Sequence, residues 1–222
     1  MGTYALLKKS VMLLVVSAVA SHLTRKHQAF ILHLLISVTL ISCSPVSLEV
    51  TNLRSTRAEI VGFANKLILL IRDRKLDKLA KYVHPTKGLS FSPYGHVSVN
   101  RVIVKEGELA KIWRSNPVII WGNYDGSGQP IKMSIVDYFK TFVYAADYTS
   151  APLIAINKRL GQGNSYSNIQ EVFPNSIFVE YHFKGFEPKF QGMDWRNLIL
   201  VFEKRQDKGW WLIAIINDQW TI

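Results

Sequence analysis

The sequence predicts an α+β protein whose N-terminal helices pack on a curved antiparallel sheet. Apolar residues recur at helical spacing between Thr56 and Val83, whereas the chain closes with three runs rich in β-branched and aromatic residues, 176–183, 196–205 and 209–220. Helices followed by a strand meander are typical of α+β domains. Hydrophobic residues make up 48% of the 222 residues and charged residues 19%, so the chain can bury a core.

A first amphipathic helix is predicted from Thr56, because Thr56 and Glu59 form a capping-box pattern. Its apolar positions are Ile60, Phe63, Ala64, Leu67, Ile68 and Ile71. A shorter helix follows and ends at His84-Pro85, since a residue before proline disfavours helical geometry. Its apolar face comprises Leu76, Leu79, Ala80 and Val83. Short strands at 89–92 and 97–104 and a third helix at 106–115 are predicted next.

The middle of the chain predicts one strand, one helix and a long loop. The strand is "PVIIWG", residues 117–122, and the turn residues of "NYDGSGQP" follow it. Ser134 and Asp137 then cap a helix whose apolar face extends to Ala146. Residues 150–175 lack periodicity and are predicted to form a loop. The tetrapeptide "QDKG" joins the last two strands as a hairpin.

Two apolar runs, 11–20 and 29–41, precede the predicted domain, and neither reaches the ~20 residues that a membrane-crossing helix needs. The second follows Arg25 and Lys26 and ends in "LISC", whose Cys43 is the only cysteine of the chain. This arrangement resembles the lipobox of bacterial lipoproteins. The resemblance implies cleavage before Cys43, lipidation of Cys43, and a membrane-anchored domain in the bacterial cell envelope, outside the cytoplasm.

The lipoprotein interpretation divides the chain into a leader (1–42), a polar tether (43–55) and one domain (56–222). A buried cysteine in an uncleaved hydrophobic anchor is the alternative. The first apolar run is superfluous in a lipoprotein leader, which suggests either a translation start at Leu23 or a pair of uncleaved anchoring helices. Because there is no second cysteine, the core has no disulfide.

The formal net charge of +11 does not by itself indicate a nucleic-acid partner. Residues 1–42 carry four basic and no acidic residues, which leaves 23 basic against 16 acidic residues in the rest. Part of that excess lies in the helical stretch 54–81, where a solvated helix face is favoured over contact with anionic lipid or nucleic acid. The sequence has no basic stripe interleaved with aromatic residues, so we expect no nucleic acid as partner.

Two segments resemble domains of the NTF2-like (SnoaL-like, cystatin-like) family over residues 56–222. They are "RKLDKLAKYVHPTKGLSFSP" and the closing hairpin "LVFEKRQDKGWWLIAI". The resemblance implies a cone that encloses a pocket between a curved sheet and the first helices, and the most similar members are uncharacterised bacterial lipoproteins with one such domain. Some family members are isomerases, dehydratases or cyclases, and many dimerise. The long stretch 116–175 departs from the compact family pattern.

Glu180 and His182 are the first candidates for catalysis. Strand alternation places both on one face with Phe178, where a carboxylate and an imidazole could act as base and orienting partner. Asp218, near the end of the last strand, is the third candidate, and Asp194 is a similar carboxylate. An outward polar face, or the turn and strand-end roles common for Asp, are the alternatives.

Aromatic residues are the candidates for ligand binding. Tyrosine and tryptophan combine a large apolar surface with one hydrogen-bonding group, which suits pockets and interfaces, although core packing is the competing interpretation. The candidates are Tyr94, Trp121, Tyr124, Tyr144 and Trp195. Metal-ligand motifs of the HxH, HExxH or cysteine-cluster type are missing from the sequence, and its glycine-rich stretches fit no nucleotide-binding pattern. We therefore predict neither a metal nor a cofactor.

The favoured function is that of a lipid-anchored module that binds a small molecule or a protein partner without catalysis. An isomerase, dehydratase or cyclase using Glu180, His182 or Asp218 is the second hypothesis, and a homodimeric assembly module is the third. Two adjacent buried titratable groups in a closed cavity would favour chemistry. An open apolar sheet face would favour a partner.

Overall fold

The computed structural model describes residues 45–161, 163, 166–206 and 209–221, with side chains from Ser55 onward. The compact unit that carries these side chains comprises Ser55–Ile222. Cys43 and the predicted leader lie outside the described residues. Lipidation of Cys43 and the start of translation therefore stay predictions.

The described chain begins with two helices, ends with three long strands, and contains shorter helices and strands between them. The helices are α1 (Pro45–Arg72), α2 (Leu76–Ala80), α3 (Glu106–Ser115), α4 (Ile135–Tyr138), which continues as a π-helical turn over Phe139–Val143, and α5 (Ile169–Val172). Short 3-10 turns cover Tyr148–Ser150 and Pro188–Phe190. The strands are β1 (Leu89–Ser92), β2 (Val102–Val104), β3 (Val118–Asn123), β4 (Pro130–Ser134), β5 (Leu153–Ile156), β6 (Ser176–Phe183), β7 (Arg196–Lys204) and β8 (Trp210–Gln219).

Helix α1 begins at Pro45, earlier than Thr56, so residues 45–54 are helical where the sequence analysis places a polar tether. From Ile60 onward five of its six predicted apolar positions are buried, and the sixth, Phe63, is partly buried against the same core. The helix ends where Arg74 takes the left-handed conformation, with φ of 56°. The amide N–H of Lys75 donates to the Leu70 carbonyl at 2.9 Å, which satisfies one of the last free carbonyls of the helix.

The α+β class is confirmed, but the expectation of a purely antiparallel sheet is wrong. Six strands form one mixed sheet in the order β2-β1-β8-β7-β6-β5, and β1 pairs with β8 in parallel. The parallel pair arises because the chain already runs alongside β8 before β1 begins: Val83 forms a parallel bridge with Leu212, and the His84 N–H donates to the Leu212 carbonyl. Strands β3 and β4 form a separate antiparallel hairpin.

The two faces of the six-stranded sheet bury different clusters. Val179 and Tyr181 of β6 belong to the larger core, which also contains the apolar residues of α1. The Tyr181 hydroxyl donates to Asn65 of α1 at 2.8 Å. Phe178 of the same strand belongs to a second cluster, together with Val97 and Ile169. The predicted alternation along β6 is therefore confirmed.

The middle of the chain differs most from the prediction. Ser134 caps α4 as expected, with its hydroxyl accepting from the Asp137 N–H at 3.2 Å. Strand β2 is shorter than the predicted 97–104, and the stretch predicted as a loop contains β5 and α5. β5 was missed because four residues give too little periodicity, and it is recognisable only through its pairing with β6.

Candidate functional site

The sheet face that lies away from the α1 core changes from apolar to polar along its strands. Phe178, Ile199 and Ile216 lie in the second apolar cluster. Further along the same strands and on the same face come Glu180, His182, Asn197 and Asp218, all of them buried. His182 pairs across with Asn197, and Asn197 pairs with Asp218. The three catalytic candidates thus lie together, although not on the face that meets α1.

Arg159 lies within residues 150–175, which the sequence predicts as a loop, and it connects the two carboxylates. Its Nε donates to Glu180 Oε2 at 2.7 Å, and its second terminal nitrogen, Nη2, forms an ion pair with Asp218 Oδ2. Only 20% of the Arg159 side chain is exposed. A planar guanidinium suits this task because its donors lie in a fixed fork. We call Glu180, His182, Asn197, Asp218 and Arg159 the buried network.

Backbone amides complete the coordination of both carboxylates. Glu180 Oε1 accepts from the N–H groups of Leu160 and Gly161, each at 3.0 Å, and Asp218 Oδ1 accepts from the Gly95 N–H at 3.2 Å. A Cβ at Gly161 would lie 2.2 Å from the Asn197 amide nitrogen, and a Cβ at Gly95 would lie 2.8 Å from an Asp218 oxygen. Both close approaches therefore require glycine.

Asn197 fixes the tautomer of His182. The Asn197 amide nitrogen donates to Glu180, so its Oδ1 must face His182 Nδ1, 2.5 Å away. Nδ1 therefore carries a proton and donates it to this hydrogen bond. The Trp195 ring lies beside the imidazole at an interplanar angle of 44°, with 6.2 Å between ring centroids.

Burial raises the pKa of the Asp218 carboxyl, although Arg159 opposes the shift. The raised pKa and the buried imidazole are features of catalytic sites. Here, however, each carboxylate already accepts from several protein donors, and Glu180 is fully buried. A substrate would have to displace these donors, so the arrangement is that of a structural polar network.

A second site contains three of the five aromatic candidates. Tyr94, Trp121 and Tyr124 line a cleft of about 510 Å³ between residues 92–101 and the β3 end of the hairpin. We call it the aromatic cleft. Trp121 is buried and stacks on Tyr138 with 4.0 Å between ring centroids, and its Nε1 donates to the Met133 carbonyl at 3.0 Å. Trp121 therefore belongs to the wall, whereas Tyr124 is 38% exposed.

Hydrogen bonds from Asn217 in β8 and from Thr221, which follows β8, hold the two sides of the aromatic cleft. Asn217 Nδ2 donates to the Pro93 carbonyl at 2.8 Å, which holds the residue before Tyr94. The Thr221 hydroxyl donates to Asp125, the residue after Tyr124. Partial burial raises the pKa of Tyr94. The cleft thus has a rigid frame and walls of mixed polarity, which are properties of ligand sites.

The other predicted residues lie elsewhere. The Tyr144 hydroxyl donates to Asp147 at 2.6 Å, and burial together with Asp147 raises the pKa of Tyr144 to about 12. Trp195 lies beside His182 of the buried network. Asp194 accepts hydrogen bonds from the N–H groups of Phe186 and Glu187. It therefore stabilises a turn, which is the alternative to a catalytic role. The five aromatic candidates therefore fall at three separate places.

Sequence reasoning missed Arg159, Asn197 and Arg101. Asn197 had a detectable pattern, because it is a polar residue in the apolar run "NLILVF" of β7 and shares the face of Glu180. Arg159 lies in a stretch without periodicity, and only its pairing across the fold reveals it. Arg101, which lines the aromatic cleft, was obscured by the general excess of basic residues.

Within the described ranges, no group of three or more histidine, cysteine or acidic residues has a geometry that could hold a metal ion. The same part of the chain contains no helix of sufficient length and hydropathy to cross a bilayer. Comparison with protein families, curated proteins and solved structures finds no match to this chain.

Proposed function

We propose that this protein is a binding module whose ligand occupies the aromatic cleft, and that it is anchored to the bacterial cell envelope through a lipid on Cys43. The observation that carries the binding proposal is the convergence of Tyr94, Trp121 and Tyr124 on one open cleft. Aromatic walls next to polar rim groups suit an amphipathic small molecule with a ring or another compact apolar part.

The contrast with the buried network supports binding rather than catalysis. Catalytic carboxylates need access to the substrate and a proton that can move. Glu180 and Asp218 are closed off by Arg159 and by backbone amides. The raised pKa of Asp218 is the observation that favours the isomerase-type alternative. That alternative would require Arg159 and the backbone of residues 160–161 to move away from the carboxylates.

The NTF2-like architecture is part of the proposal. It is supported by the presence of one six-stranded sheet and by contacts between α1 and one face of that sheet, such as the 5.5 Å separation of the Phe63 and Phe202 rings. The aromatic cleft lies beside the end of β1 and the β3–β4 hairpin. Glu180, His182 and Asp218 lie on the sheet face that is turned away from α1.

Binding can be tested with phenol, indole and cyclohexanol as ring probes, observed through the indole N–H of Trp121 in NMR spectra of the full chain. We expect saturable shifts in wild type that Tyr124→Ala abolishes. Tyr166→Ala is the matched control, because Tyr166 is exposed and does not line the cleft. No shift with any probe, or equal shifts in Tyr124→Ala, would contradict the proposal.

Anchoring is tested separately by intact mass and detergent partitioning of the full gene product beside Cys43→Ala. We expect wild type to lose the leader, gain the mass of acyl chains and partition with detergent, whereas the variant does none of these. Identical behaviour of the two proteins would refute lipidation and leave the uncleaved anchor as the explanation.

A further inference from the structure

A second cleft, of about 360 Å³, shares Arg101 with the aromatic cleft. Much of its wall is apolar: Ile103, Val172, Phe173, Pro174 and Ile213. Its charged lining residues are Lys87, Arg101 and Glu203. We call it the anion cleft.

The charges of the anion cleft do not cancel. Lys87 forms an ion pair with Glu203, which neutralises both groups. Arg101 forms no ion pair with any residue in the described part of the chain. One positive charge therefore remains at the wall of a cleft in which apolar side chains form half of the other lining residues.

The Arg101 guanidinium is held in place by uncharged partners. Its Nε donates to Ser90 Oγ at 3.1 Å and its Nη1 donates to the Ser98 carbonyl at 3.3 Å. Its Cζ lies 5.4 Å from the centroid of the Phe173 ring. Among the described residues, these contacts orient the group and use two of its five N–H donors. A preoriented guanidinium binds a carboxylate or phosphate oxygen with less loss of entropy than a free one.

We propose that the anion cleft binds a small organic anion. Its carboxylate or phosphate group meets Arg101, and a compact apolar group packs against Ile103 and Phe173. The charge complementarity comes from the single uncompensated cation, and the apolar walls select against inorganic anions. The anion cleft shares Arg101 with the aromatic cleft but differs from it in its other walls, because Ile103 and Ile213 line the anion cleft and not the aromatic cleft.

Benzoate and its neutral analogue benzamide form a matched pair of probes, observed through the Ile213 methyl groups in NMR spectra of the full chain. We expect benzoate to bind saturably and benzamide about tenfold more weakly or worse, because a charge-assisted hydrogen bond is lost. Arg101→Gln should weaken benzoate binding by about tenfold or more on the same ground. Lys111→Gln, which removes one exposed charge from α3, should leave benzoate binding unchanged.

A second pair of variants keeps the test valid if Arg101→Gln fails to fold. Ile103 lies on the edge strand β2 and is 44% exposed, so polar replacements are tolerated there. We expect Ile103→Glu to abolish benzoate binding by placing a carboxylate beside Arg101, whereas Ile103→Gln, which removes the apolar contact without adding a charge, should weaken binding much less. The proposal is overturned if benzoate and benzamide bind equally, if inorganic phosphate binds as tightly as benzoate, or if Ile103→Glu and Ile103→Gln behave alike.

Discussion

The buried network and the aromatic cleft are two polar-aromatic regions of one domain, and they differ in how many of their groups have protein partners. In the buried network, Glu180 accepts from Arg159, from Asn197 and from two backbone amides. In the aromatic cleft, Tyr94 and Tyr124 form walls of an open volume of about 510 Å³. The first region uses its hydrogen-bonding capacity on the protein itself. The second leaves surface for a ligand.

The difference shows that the burial of titratable residues is a weak indication of function by itself. Glu180, His182 and Asp218 meet the criterion of adjacent buried groups. Their donors show that these groups attach residues 159–161 and Gly95 to the sheet. A buried charge is costly without partners, so a network that connects segments distant in sequence specifies how they dock.

Removing the shared cation should have the largest effect. Arg159→Met leaves two buried carboxylates without their common partner, and we expect the free energy of unfolding to fall by about 3–5 kcal/mol. Urea unfolding followed by circular dichroism measures it. Lys158→Met is the matched control, because Lys158 is exposed and adjacent in sequence. Equal losses in the two variants would show that the buried network does not stabilise the fold.

The close approach at Gly161 should have the next largest effect. Gly161→Ala places a Cβ against Asn197 and the Trp195 ring, so the segment must move away from Glu180. We expect a loss of about 1–3 kcal/mol in the free energy of unfolding. Gly163→Ala provides the comparison, since its Cβ would lie 3.1 Å from Trp195 and needs a smaller shift. If Gly163→Ala lowers the free energy of unfolding as much as Gly161→Ala does, the close approach of Gly161 to Asn197 is not the cause of the loss.

The sequence was informative wherever periodicity persisted over several residues. The burial of α1 from Ile60, the cap at Ser134 and the two faces of β6 all follow from local patterns. The parallel position of β1 beside β8 does not, because pairing between distant strands depends on where the chain enters the sheet. Strand β5 was missed for the same reason, since its four residues become a strand only against β6.

The sequence indicated which types of residue could form a site, but it did not indicate which of them meet in the folded chain. Glu180, His182 and Asp218 lie close together in the structure, yet Arg159, which forms ion pairs with two of them, comes from an aperiodic segment. The partners of a buried charge are set by tertiary contacts, which a single sequence does not encode locally. Tyr94 and Tyr124 were selected by side-chain chemistry alone, and that criterion also selected Tyr144, whose hydroxyl is bound to Asp147.

The pH dependence of stability reports the charge state of the buried network. Burial raises the pKa of Asp218 in the folded protein above its unfolded value. The stabilisation from its protonated form is fully present below the unfolded pKa and is lost as pH rises through the folded pKa. Each unit of difference between the two pKa values is worth about 1.4 kcal/mol.

Comparison with Asp218→Asn isolates this contribution, since the amide does not titrate. We expect the unfolding free energy of wild type minus that of the variant to decrease as pH rises from 4 to 7. Urea titrations at four pH values measure it. An increase with pH would mean that attraction to Arg159 outweighs the cost of burying the carboxylate.

The smallest effect on stability is expected in the aromatic cleft. Tyr124 is partly exposed and its ring lies 6.5 Å from that of Phe142, so Tyr124→Ala should change the free energy of unfolding by less than about 1 kcal/mol. Trp121→Ala, in the buried wall of the same cleft, should cost about 3–5 kcal/mol. Thermal and urea unfolding of the two variants measure both values. If Tyr124→Ala costs as much as Trp121→Ala, the Tyr124 side chain is committed to packing and the cleft has no aromatic surface to spare for a ligand. If the costs separate as expected, a loss of probe binding in Tyr124→Ala can be assigned to the missing ring rather than to a disturbed fold.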